Sequence, residues 1–247
     1  MPRIIVLDTL SPDGLALLDA AKAQGIDYEV KTGLKGDALR EALNQFDGAI
    51  CRSGVKITAD SLAGNTKLKA IVRAGVGTDN IDKDAATRQG IVVMNTPAGN
   101  TLSTAEQTFA LMLALSRNIA PAYQALIEKR WDRAKYMGTQ LAEKTLGVIG
   151  LGRIGLAVAK RAQAFEMKVI GYDPFLSREK VAELGFEPVG SIKEMLPQID
   201  YLTVHTPLTD ETKGLINAES IKTLKKARGW STAHAAASTT KPRWSKV

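Results

Sequence analysis

At 247 residues the chain is long enough to bury one large core or two smaller ones. Its 45% hydrophobic and 24% charged residues are ordinary for a soluble globular protein, and four of its seven net positive charges fall in residues 227–247, leaving no basic, aromatic-interleaved stripe for nucleic acid. The single Cys51 permits no internal disulfide, the N-terminus reads as a strand rather than an export signal, and no uncharged apolar run has membrane-spanning length, so no membrane partner and a cytoplasmic location are expected.

The first hundred residues alternate short apolar runs with helical patterns. Ile4–Leu7 is followed by a helix over Ser11–Ala23, Asp27–Val30 by Lys35–Leu43, and Gly48–Cys51 by Thr58–Leu62. Lys69–Val72 and Gly90–Met94 complete five strand candidates, and such alternation predicts βαβ units in a parallel sheet. No glycine fingerprint follows the first strand; Asp8-Thr-Leu-Ser11-Pro caps a helix there instead. Arg52-Ser53-Gly54 follows the third strand and Arg73-Ala-Gly75-Val76-Gly77-Thr78 the fourth. Ligands of open parallel sheets bind beyond the carboxyl ends of the strands, and arginine with backbone amides suits a carboxylate or phosphate. The alternative is that Arg52 and Arg73 are solvated strand-end charges.

Pro97 marks a boundary. Asn100 to Ser116 reads as a long helix capped by Thr101 or Ser103, with Ala110, Leu111, Ala114 and Leu115 as its apolar stripe, and Pro121 opens a second helix through Glu128. Then comes the most informative stretch, Lys144-Thr-Leu-Gly-Val-Ile-Gly150-Leu-Gly152-Arg153-Ile154-Gly155, an apolar run breaking into Gly-x-Gly-x-x-Gly and passing into a helix over Leu156–Phe165. Gly150 allows a tight turn, Gly152 lets the backbone approach a pyrophosphate, and Gly155 lets helix and strand pack closely. Amides at the helix N-terminus face the anion. A second strand, Lys168–Tyr172, ends in Asp173, whose carboxylate accepts from a ribose 2′-hydroxyl and repels a 2′-phosphate, favouring NAD over NADP. After a helix over Glu179–Leu184, a third strand, Tyr201–Val204, ends in His205-Thr206-Pro207 at the glycine edge; a lone strand-end histidine is often structural and is assigned no catalysis.

Asn217–Lys226 is a helix pattern that should feed a fourth strand, yet Ala227–Val247 has no strand period and reads as a low-complexity, disordered tail. A sheet that stops there exposes apolar surface along its last strand.

With these residues in view, the chain resembles the NAD-dependent D-2-hydroxyacid dehydrogenases, and within them the D-3-phosphoglycerate branch. The resemblance runs from about residue 3 to Lys226. It rests on Arg73-Ala-Gly-Val-Gly-Thr-Asp-Asn-Ile-Asp82, Asn95-Thr-Pro-x-Gly-Asn100, Ser103-Thr-Ala-Glu-Gln-Thr108, Trp131-x-Arg133-x-Lys135-x-Met137-Gly138, the glycine fingerprint and Val204-His-Thr-Pro207. It implies an α/β fold of two parallel-sheet domains: a flavodoxin-like substrate domain over 1–97 and an incomplete Rossmann nucleotide-binding domain over 98–226. In the family the substrate domain is discontinuous and closes over the nucleotide domain, the active site lying in the cleft. Carried over, Gly150, Gly152, Arg153, Ile154, Gly155, Asp173, Thr104, His205, Thr206 and Pro207 would hold NAD. Arg52, Ser53, Arg73, Gly75, Val76, Gly77, Asn100 and the partner-facing Arg133 would bind an anionic substrate. The implied reaction takes a hydride from C2 of 3-phosphoglycerate and gives 3-phosphohydroxypyruvate for serine synthesis. A homodimer through the nucleotide domains is implied, and no metal.

The departure is in the tail. The family continues with a strand ending Asn-Cys-Ala-Arg-Gly-Gly, whose arginine holds the substrate, and later supplies a glutamate and a general-base histidine; none of the three is present here, so no catalytic residue is assigned. Codons exist for Ala227–Val247 whose neighbouring frame reads Val-Val-Asn-Cys-Ala-Arg-Gly-Gly-Ile-Asp-Asp-Glu-Thr-Ala-Leu-Val-Glu-Gly, the family continuation. The hypothesis is a single-base slip near the Lys226 codon; a gene with no family-like sequence in the adjacent frame would sink it. Two readings therefore stand beside an active phosphoglycerate enzyme: an NAD-binding or scaffolding protein without catalysis, and a dehydrogenase of another D-2-hydroxy acid.

Overall fold

The computed structural model describes residues 1–224; what the sequence suggests for Lys225, Lys226 and the tail lies outside them. The chain divides into two compact units between Asn100 and Thr101.

The first unit runs β1 (Arg3–Val6), α1 (Pro12–Lys22), β2 (Asp27–Val30), α2 (Gly36–Leu43), β3 (Gly48–Cys51), α3 (Ala59–Leu62), β4 (Ala70–Arg73), α4 (Lys83–Arg88) and β5 (Val92–Asn95). All pairings are parallel, in the flavodoxin-like order β2-β1-β3-β4-β5. Ser11 caps α1 by accepting from the Gly14 amide. The six-residue α4 was not legible as an apolar period; its Asp82 cap, accepting from the Ala85 amide, is what starts it.

Successive strand residues face opposite sides. Ile5, Ala49, Cys51 and Ile71 point to one side and are at most 1% exposed, sealed with Leu39, Leu43, Phe46 and Leu62 into one core. The register sets Val6, Val30, Ile50, Val72 and Met94 in a row on the other side. That side is thinly covered: Val30, Met94 and Val92 are half exposed, and α1 buries none of its residues. Parallel sheets are normally covered on both faces, so this one is half-dressed among the described residues.

The second unit runs α5 (Thr101–Ser116), α6 (Ile119–Ile127), β6 (Thr145–Ile149), α7 (Arg153–Ala164), β7 (Lys168–Tyr172), α8 (Arg178–Glu183), β8 (Glu187–Pro188), α9 (Ile192–Met195), β9 (Tyr201–Val204) and α10 (Ala218–Lys222). Its parallel sheet has the order β8-β7-β6-β9, the first four positions of a Rossmann sheet. The two-residue β8 makes Tyr201–Val204 the fourth strand of this sheet rather than the third, a pairing too short to carry a period.

Three expectations are corrected here. The apolar stripe of α5 is not its buried face: Ala105, Thr108, Phe109, Met112 and Ser116 are buried, while Ala110, Leu111 and Leu115 are exposed and Ala114 is half-buried. Phe109 stacks on Phe165 at 5.2 Å, and Ser116 shares a hydrogen bond with the Tyr201 hydroxyl, so tertiary partners pick the buried face. The helix begins at Thr101, placing Ser103 inside the first turn, and α6 opens at Ile119, after Asn118 in the left-handed conformation, rather than at Pro121. Finally, β9 ends the described sheet yet all four of its residues are buried. Tyr201 packs with α5 and α7, while Leu202 and Val204 pack with Met195, Ile199, Ile216 and Leu224, so both faces of that strand are covered.

Candidate functional site

The first unit gathers cationic and polar groups at the carboxyl edge of its sheet. Arg73 ends β4 opposite Cys51, and Arg52 follows directly, so the two arginines rise from adjacent strand ends. Arg52 is exposed; its backbone N–H donates to Asp8 Oδ2 at 2.6 Å and its Nη1 reaches the Thr9 carbonyl at 3.4 Å. The Arg73 side chain is 13% exposed and donates from Nη1 to Asp79 Oδ1 at 2.8 Å. That hydrogen bond holds the Asp79 carboxyl below the usual carboxylate range, while Arg73 Nε is buried without a partner. The loop Gly75-Val76-Gly77 curls over this guanidinium: a Cβ on Gly77 would lie 2.9 Å from Arg73 Nη1. Asn95 of β5 donates from Nδ2 to the Val76 carbonyl at 2.6 Å, pinning the loop from the neighbouring strand. Ser53 and Asn100 are exposed. Burial pushes the Cys51 thiol up to about 11, so the residue beneath the arginines is a neutral core group.

In the second unit β6 passes through the glycine turn into α7 with the geometry that the residue types demand. Gly150 has φ +87°, and a Cβ there would stand 2.7 Å from the His205 carbonyl oxygen. A Cβ on Gly155 would fall 1.9 Å from the Gly150 carbonyl oxygen, so only glycine lets the helix start this close to the turn. Gly152 is the N-cap of α7, makes no side-chain cap hydrogen bond, and would direct a Cβ into open space. Asp173 ties this turn to the end of β7: Oδ2 accepts from the Leu151 amide at 2.8 Å and Oδ1 from the Phe175 amide at 2.9 Å. His205 Nε2 lies 2.8 Å from Thr203 Oγ1, on the strand rather than toward a substrate. Thr206 sits against Gly150 with a buried, unpartnered Oγ1, and Pro207 is exposed at the same edge.

These features fit a dinucleotide. An uncapped helix start presents amides to an anion, the side-chain-free Gly152 leaves the approach clear, and the Thr206 hydroxyl and the Asp173 carboxylate keep hydrogen-bonding capacity at the rim. Thr104 lies one turn into α5, its carbonyl taken by the Thr108 hydroxyl. Arg133 stands apart in a 3-10 turn (Arg133–Tyr136), lining a groove of about 850 Å³ with Arg117, Arg130, Trp131 and Met137.

The side chains that shape the first cluster were not picked out from the sequence: Asp8, Asp79, Asn80 and Asn95. Asp79, Asn80 and Asn95 sit inside quoted motifs; for Asp8 and Asn95 the available signal was a short polar residue at or just beyond a strand end, and Asp79 and Asn80 lie farther along the loop after β4.

The family model for the D-isomer specific 2-hydroxyacid dehydrogenase, NAD binding domain, matches residues 109–228. The chain is 45% identical over 226 residues to D-3-phosphoglycerate dehydrogenase of Methanocaldococcus jannaschii, covering 92% of this chain and 42% of that one. It thus spans about two fifths of that relative's length. Among solved structures, the TT0316 protein of Thermus thermophilus is 32% identical with a TM-score of 0.85, covering 96% of this chain and 75% of that one. The NAD+-bound 3-phosphoglycerate dehydrogenase of Entamoeba histolytica is 31% identical with a TM-score of 0.74, covering 91% and 68%.

Proposed function

The chain belongs to the D-isomer specific 2-hydroxyacid dehydrogenase family, and from that membership we propose that it descends from an NAD-dependent D-3-phosphoglycerate dehydrogenase. The observation that carries the cofactor assignment is the bare start of α7: Gly152 without a capping side chain, behind a turn whose two other glycines cannot be replaced without backbone collision. Arg153 and Ile154 would present amides to the pyrophosphate, Asp173 would hold the adenosine ribose, and Thr104, His205, Thr206 and Pro207 would line the nucleotide. NAD, when bound, supplies the acceptor for the hydride on C2 of the hydroxy acid. Arg52, Ser53, Arg73 and the Gly75–Gly77 amides would bind 3-phosphoglycerate, and two guanidiniums on adjacent strand ends suit a substrate with two anionic groups better than a simple hydroxy acid.

These 247 residues include no family-type arginine, glutamate and histidine segment, so we propose binding without turnover. The test is a turnover assay with 3-phosphoglycerate and NAD: near-normal activity would refute the claim, and no detectable hydride transfer supports it. A second copy of the chain is proposed to cover the exposed apolar side of α5 and α6, where Leu111, Leu115, Ile119, Leu126 and Ile127 stand clear of the core. No helix among the described residues is long and apolar enough to cross a membrane. A cytoplasmic location is proposed alongside this chemistry.

A further inference from the structure

Arg52 and Ser53 are useful to an anion only if their loop holds one shape, and the loop Arg52–Val55 lies outside any strand, with its first three residues exposed and Val55 buried. Two side chains from other parts of the chain fix it. Asp8, just beyond β1, accepts the Arg52 amide proton with Oδ2 at 2.6 Å. Its other oxygen lies where the side chain of residue 54 would be: a Cβ on Gly54 would come within 2.2 Å of Asp8 Oδ1. The loop therefore wraps the carboxylate, and residue 54 has to be glycine for it to do so. From the opposite side Asn80, only 9% exposed, donates from Nδ2 to the carbonyls of Arg52 and Val55, both at 2.8 Å. Its backbone carbonyl accepts from the Ile57 amide at 2.8 Å, so Asn80 holds the loop at two points and the chain just beyond it at a third.

We propose that Asp8 and Asn80 are positioning residues, a two-sided clamp that sets the Arg52–Val55 loop as an anion cradle, with Gly54 as the space that admits the clamp. The inference rests on the reading of Arg52 and Ser53 as substrate-binding residues. The charge of Asp8 makes the role testable: the carboxylate meets the Arg52 backbone amide, and a negative charge beside an anion site opposes binding, so the group contributes as an acceptor and not as a charge. An asparagine at position 8 keeps the acceptor and removes the charge; an alanine removes both.

Calorimetric titration of 3-phosphoglycerate into the whole chain separates the possibilities. Asp8→Ala and Asn80→Ala are expected to bind about tenfold more weakly, the scale of losing the side-chain hydrogen bonds that hold the loop. Asp8→Asn should bind at least as well as the parent while Asp8→Ala binds more weakly, a contrast that a purely electrostatic role, which would raise affinity in both variants, would not give. Gly54→Ala should weaken binding in the parent and add nothing in the Asp8→Ala background, because the clashing oxygen is gone. If Asp8→Ala loses its cooperative unfolding transition, Gly54→Ala decides alone. Parent-like binding by Asp8→Ala and Gly54→Ala, with Arg52→Ala unable to bind, overturns the clamp and leaves the substrate site standing. A parent chain that does not bind the ligand overturns the substrate site itself, and the clamp falls with it.

Discussion

At the scale of single residues, the positions whose chemistry depends on the backbone were legible, and those that depend on a distant partner were not. Gly150 and Gly155 follow from a turn that tolerates no Cβ, as the 2.7 Å and 1.9 Å approaches confirm. Asp8 and Asn80 carry no such mark; their importance comes from residues 44, 28 and 25 positions away, and a single sequence does not reveal such pairs. Cys51 is the converse case, a residue whose reactive type misleads. Buried among apolar side chains and held protonated with its thiol near 11, it should resist iodoacetamide at neutral pH in the folded chain and react only on denaturation. Rapid alkylation of the native chain would show that the β3 end opens.

At the scale of elements, strands bounded by turn residues were placed to within about a residue, because a strand ends where glycine, proline or a short polar residue takes over the backbone. The Ser11 cap was legible for the same reason, whereas Thr101 and Ser103, read as caps, lie inside α5. Replacing Ser11 by alanine removes the acceptor for the Gly14 amide and should destabilise the first unit by about 1 kcal/mol in denaturant unfolding; no change would mean that water replaces the cap at this exposed helix. The burial of α5 was not legible, since both sides of that helix are apolar and periodicity cannot rank them. Its buried face is chosen by Phe165, Tyr201 and α7. The outward side, with Leu111 and Leu115, predicts that Leu111→Gln with Leu115→Gln leaves monomer stability within about 0.5 kcal/mol while shifting the chain to a smaller species in sedimentation. Unchanged sedimentation of a dimeric parent would place the contact elsewhere.

At the scale of the whole molecule, alternation of strands and helices foretold two parallel sheets, but not that one face of the first would stay thinly covered. Coverage depends on which elements return across a face, and composition does not encode it. Asp47 and Asp79 are two of the carboxyls that tie stability to acid pH. Asp47 is held below its ordinary value of 3.8 chiefly by the Arg3 amide, and Asp79 chiefly by Arg73. A carboxyl with a depressed folded pKa stabilises above its unfolded value, and that contribution disappears as pH falls through the folded one. The thermal midpoint should therefore drop as pH is lowered below 3.8, and Asp47→Asn should flatten that drop; an unaltered acid profile in the variant would assign the loss to other groups.

The central claim is that the glycine turn at 150–155, closed by Asp173, holds NAD. Parallel calorimetric titrations of NAD and NADP into the 247-residue chain test it most directly. Saturable binding of one NAD per chain is predicted, with NADP weaker by at least about tenfold, because a carboxylate at the end of β7 accepts from a 2′-hydroxyl and repels a 2′-phosphate. No heat with either nucleotide, or equal affinity for both, would contradict it.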